Sequence, residues 1–166
     1  MKLLSRADLS DEQYFALRDA PHFVAIAVSS AAGSFVDEIR ERAAANEAIA
    51  AGARSEHPLV REIAGTDDVK DAERAIRAAI FARDPEHRGA SDKEKLAVES
   101  VRRAVGLLLD KGGIHDLAAY RDFVLEVMDG VSSAAREGDV LGIGGEVVGD
   151  AERAVIQSIE GALAGT

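Results

Sequence analysis

Apolar residues recur along this chain at intervals of three and four, the spacing that lays one stripe along an α-helix. Strict apolar–polar alternation, the mark of strands, is nearly absent. Between Ile114 and Glu137 the pattern is clearest: Leu117, Tyr120, Val124, Val127, Met128 and Val131 fall on one side of a helix, and Asp122, Glu126 and Asp129 nearly opposite. Val69, Ala72, Ile76, Ala79 and Ile80 repeat the spacing in a segment that opens at Thr66 or Asp67 and stops at Asp84–Pro85.

Local punctuation divides the helices. Ser10 with Gln13 has the spacing of a capping box, and so does Ser91 with Glu94. The first helix is expected to end near Arg18. Pro21, whose missing N–H suits a first turn, is expected to open a second segment to about Ala51, bent or re-capped at Gly33–Ser34. His57–Pro58 starts a short helix that Gly65 should close in a left-handed conformation. Ser91 opens a helix to about Lys111, ended by Gly112–Gly113, and the last helix runs from Asp150 to Leu163. Before it lies GDVLGIGGEVVGD, where Val140–Leu141 and Val147–Val148 pair around Gly144–Gly145 as a small hairpin or plug one end of the bundle.

The pattern therefore predicts an all-α fold, an antiparallel bundle of six to seven helices with a Gly-rich connector before the last helix, as a single domain over residues 1–166. A chain of this size buries roughly 70% of the surface its unfolded form exposes. No cysteine is present, which removes disulfides, thiolate metal sites and thiol nucleophiles. MKLLSRADLS has no apolar core of a leader, so a cytoplasmic location is expected. A net charge of −10 repels phosphate backbones and anionic lipid, so nucleic acid is not an expected partner.

The twelve residues PHFVAIAVSSAA, Pro21–Ala32, carry no Asp, Glu, Lys or Arg in a chain that is 30% charged. Too short to span a membrane, they require burial inside the helical core or against another copy of the chain. The helix to Lys111 places Val98, Val101, Val105, Leu108 and Leu109 on one broad face, with Leu96 and Leu107 about opposite. Phe23, Ile26 and Val28, with Leu96 and Leu107 as a second patch, are accordingly the expected interface of a homo-oligomer.

Catalytic signals are sparse. The Asp122, Glu126, Asp129 stripe reads as a solvated face. No Glu is followed three residues later by His, the pair a di-metal bundle needs, so no metal or cofactor is expected. Serines lie outside G-x-S-x-G and S-x-x-K motifs. Gly142, Gly144, Gly145 and Glu146 form a candidate ligand loop, although no parent strand precedes it and Glu146 disfavours phosphate. The run GGEVVGDAE resembles the loop-to-helix turn of calcium hands and of tellurite-resistance-type helical domains. It lacks the D-x-[DN]-x-[DN]-G ligands, and neither calcium binding nor a family follows from it.

The expected function is that of a non-catalytic, self-associating helical protein with a structural, interaction or regulatory role. The alternative is a small-molecule- or metal-using helical-bundle enzyme gathering His22, Glu38 or Glu41 with the glycine loop. His22 borders the uncharged stretch, and a local hydrogen-bonding role is the simpler reading for it.

Overall fold

A computed structural model describes residues 2–32, 35–65, 90–138 and 149–165, with Arg74 and Ala78 as single helical positions; at 32, 35–42, 90 and 135–138 it describes the backbone alone. Six α-helices occur among the described residues: α1 Asp11–Ala32, α2 Phe35–Ala51, α3 Pro58–Ile63, α4 Ala90–Lys111, α5 Ile114–Gly138 and α6 Asp150–Ala164. Short 3-10 turns at Arg6–Asp8 and Gly52–Arg54 complete the regular structure, and no strand occurs among these residues. The all-α bundle read from the periodicity is the fold. The expected helix over 66–84 and the Gly-rich connector at 139–148 lie outside the described residues.

Ser10 and Gln13 form the expected capping box: the Ser10 amide donates to Gln13 Oε1 at 3.0 Å and the Gln13 amide to Ser10 Oγ at 3.3 Å. Glu94, expected to do the same for Ser91, instead accepts a hydrogen bond from Ser158 Oγ of α6 at 2.8 Å. Gly65 is not left-handed; Gly165, at φ 83° after α6, is the positive-φ glycine among the described residues.

The chief departure from the sequence reading is α1. Instead of breaking near Arg18 and restarting at Pro21, one helix runs through the proline. It packs on α2, α4, α5 and α6, with Leu17, Ala20, Val24, Ala25, Ala27 and Val28 in the core. Much of the uncharged stretch is thus buried within the protomer, with Phe23, Ile26, Ser29, Ser30 and Ala31 half-buried, and α1 is the central helix.

Alanine decides how α4 meets it. Ala97, Val101, Ala104, Val105 and Leu108 are buried. At about 100° per residue the two alanines shift the buried arc toward Leu96 and Leu107 and away from Leu109. Leu109, expected inside, is exposed, and Leu96, expected outside, is buried. On α5 the expected division holds: Leu117, Tyr120, Val124, Val127, Met128 and Val131 are buried, while Asp122, Glu126 and Asp129 are exposed.

Small residues set the closest approach. A Cβ on Gly130 of α5 would lie 2.9 Å from Ala48 Cβ of α2, and one on Gly52 would lie 2.5 Å from Phe123 Cε2. These two contacts fix α2 antiparallel to α5.

Candidate functional site

Burial separates the expected interface residues. Val28 is 1% exposed and Leu96 also belongs to the buried set, so neither offers a surface on the protomer. Phe23 and Leu107 are half-buried and packed against the core, and Ile26 is half-buried. The five therefore do not form one exposed patch. The large apolar residues that do face solvent, among those described, are Phe15, Leu109 at 64% and Ile114 at 77%. Leu109 and Ile114 flank the Gly112–Gly113 turn between α4 and α5, while Phe15 lies under the Arg18 guanidinium, 4.5 Å from its ring centroid.

Among the described residues, polar chemistry inside the protomer includes a buried bond between α5 and α6, where the Ser132 hydroxyl donates to Glu152 Oε1 at 2.6 Å, and two larger centres. The first lies along α1. Tyr120 Oη of α5 donates to the Leu17 carbonyl at 2.8 Å, and Arg18, itself buried, donates from Nε to Asp19 Oδ1 at 2.7 Å. Burial raises the Asp19 carboxyl above its ordinary value against the opposing pull of Arg18. Burial, with a smaller contribution from the Asp19 charge, raises the Tyr120 phenol as well. His22 is buried with Nε2 unpartnered; burial, then the Arg18 charge, lowers its pKa to about 4. A neutral imidazole buried along a central helix is a core group, and it lines neither the groove beside His57 nor the one beside Gly112 and Gly113. The side chains of Glu38 and Glu41, and the loop Gly142, Gly144, Gly145 and Glu146, lie outside the described residues.

The second centre is Asp116, in the first turn of α5. Its Oδ2 accepts the Gly113 amide at 2.6 Å, and its Oδ1 accepts the Leu4 amide at 2.7 Å and lies 2.9 Å from His57 Nε2. Burial opposes ionisation here, but the Gly113 and Leu4 amides and His57 together outweigh it and hold the carboxyl below its ordinary value. One carboxylate thus ties the segment ahead of α1, the cap of α3 and the start of α5. His57 Nδ1 is buried without a partner. An Asp–His pair resembles half of a catalytic relay, but no hydroxyl meets the second ring nitrogen; Ser55 Oγ accepts the His57 backbone amide instead. The pair is a structural clamp. Its members were separately visible in the sequence, as His57 before a proline and Asp116 beside His115, but 59 positions apart nothing signalled their contact.

Beside the clamp runs an open groove of about 820 Å³ between the 51–60 region and α5, walled by Arg54, Glu56, His57, His115, Phe123 and Glu126 among others. Among the described residues, no three His, Asp or Glu side chains converge as metal ligands. No described helix is long and apolar enough to cross a membrane. Comparison with protein-family models, with curated proteins and with solved structures finds no match to this chain.

Proposed function

We propose that this chain is an interaction protein that associates with copies of itself, with Leu109 and Ile114 as the anchors of the contact. The observation that supports the reading is their exposure, 64% and 77%, on either side of the Gly112–Gly113 turn, where polar residues would have been accepted without cost. Two aliphatic side chains supply only the centre of an interface, since stable association buries about 1,200 Å² or more in total; the surrounding rim would come from Asp110, Lys111, His115 and Ala118. Asp110 and Lys111 carry opposite charges on adjacent positions, so a two-fold contact can pair them reciprocally. The same reading places the protein in the cytoplasm, supported by an acidic chain without cysteine.

Light scattering coupled to size exclusion tests it. The expected mass is a multiple of 17.5 kDa that survives high salt and falls to the protomer in the variant carrying Leu109→Glu and Ile114→Glu. A monomeric wild-type chain overturns the reading. A second reading, a small-molecule-using protein, is favoured by the groove alone, whose volume lies within the usual range of ligand sites. Thermal shift against a panel of metabolites, repeated on Glu126→Gln, tests that one.

A further inference from the structure

The segment Lys2–Ser10 ahead of α1 is held differently from the rest of the chain. It contributes Leu4 and Leu9 to the core but has only one short 3-10 turn, at Arg6–Asp8. Much of its polar bonding is internal or reaches only the first turns of α1. The Ser5 amide and hydroxyl donate to Asp8 at 3.1 and 2.8 Å, Arg6 Nη1 donates to the Leu9 carbonyl at 3.1 Å, and Arg6 pairs with Asp11 and covers the Tyr14 ring. Two backbone amides reach the body of the bundle, and each ends on a carboxylate: Leu4 on Asp116 Oδ1 at 2.7 Å and Arg6 on Glu62 Oε2 at 2.6 Å. Leu3, between these anchors and Lys2, forms part of the wall of the groove that His57 and Phe123 also line.

We propose that Lys2–Ser10 is a detachable strap, latched at Asp116 and Glu62, that opens as one unit while the helical bundle stays folded and so widens the groove beside His57. Its internal bonds travel with it when it opens, since Ser5–Asp8 and Arg6–Leu9 close within the segment. What opening breaks is the pair of charge-assisted latches, the seating of Leu4 and Leu9, the Arg6 contacts to Asp11 and Tyr14, and the Ser10–Gln13 capping bonds. Each latch is the stronger class of hydrogen bond, and removing its charge leaves a weaker one. Asp116 is also the partner of His57, so opening of the strap and loosening of the groove wall share one residue.

Native-state hydrogen exchange on the full chain, with residue resolution, tests this independently of any assembly. The Leu4 and Arg6 amides are expected to exchange together, at least tenfold faster than the Val124 and Val127 amides of α5 after correction for intrinsic rates. Glu62→Gln is expected to speed exchange at Leu4 as well as Arg6 by about tenfold, with far-ultraviolet circular dichroism and the α5 amides unchanged; Asp116→Asn is expected to do the same from the other latch. Equal protection at Leu4 and Val124 in the wild-type chain overturns the proposal, and so does acceleration in Glu62→Gln confined to Arg6. Both readouts stand if Asp116→Asn fails to fold.

Discussion

Tyr120 donates its phenolic hydrogen to the carbonyl of Leu17, 2.8 Å away and four residues before Pro21. In an uninterrupted helix that carbonyl would accept the amide of residue 21, which proline lacks. A side chain from α5 thus replaces the lost main-chain donor, and α1 continues through a residue that ordinarily ends a helix. Tyr120→Phe leaves a buried carbonyl without a donor and is expected to cost about 1–3 kcal/mol. In a Pro21→Ala background an amide returns, and the same substitution is expected to cost less than half as much. Urea denaturation of the four proteins of this cycle gives the coupling; equal costs in both backgrounds would show that the bond does not compensate the proline.

His22 makes the fold sensitive to mild acid. Its folded pKa, about 4, lies below the ordinary 6.5. The unfolded chain therefore binds more protons between those values, and stability falls as pH drops through that window. The full shift corresponds to about 3 kcal/mol. Asp19, whose carboxyl is raised, acts in the opposite direction just above 3.8, and Asp116, whose carboxyl is lowered, acts below it. The difference between wild type and His22→Leu isolates the histidine. Thermal melts from pH 7 to pH 4 should show the wild type losing stability faster than the variant; parallel curves would place the imidazole in water.

Three glycines should respond in different directions to the same change. Gly106 on α4 has nothing within 4 Å of a built Cβ, so Gly106→Ala gains helix propensity and is expected to stabilise by about 1 kcal/mol. Gly130→Ala makes the same gain but drives a methyl group to 2.9 Å from Ala48 Cβ, and a net loss of about 1–2 kcal/mol is expected. Gly52→Ala meets Phe123 and Ala64 together, both buried, and should lose more than Gly130→Ala. Denaturant midpoints of the three variants check the order.

Helix type and the inward face of α5 were legible in the sequence because Leu, Val and Met carry a strong periodic signal against Asp and Glu. Two things were not. Alanine is nearly neutral in such a pattern, so Ala97 and Ala104 did not reveal which way α4 turns, and Leu96 and Leu109 exchanged places. Pro21 carries a correct local rule that a long-range hydroxyl overrides, and Tyr120 stands 103 positions from the carbonyl it serves. The Asp116–His57 clamp escaped for the same reason, since 59 positions separate the two residues and nothing local links them. Capping at Ser10 was legible because its partner, Gln13, lies within one turn.

The exchange of Leu96 and Leu109 supplies a direct test of where the apolar surface lies. Val28 is closed inside the central helix, so Val28→Asp buries a carboxylate with no partner and is expected to unfold the chain or destabilise it by more than 3 kcal/mol. Leu109→Glu and Ile114→Glu, at exposed positions, should each leave the protomer within about 0.5 kcal/mol of wild type. If these residues anchor self-association, a charge on each of two facing aliphatic surfaces must lose contact area and gain like-charge repulsion in a molecule already at −10. Helicity should then be unchanged while the solution mass falls. A variant that keeps its mass moves the contact elsewhere, and Phe23 with Ile26, half-buried on α1, becomes the next face to charge.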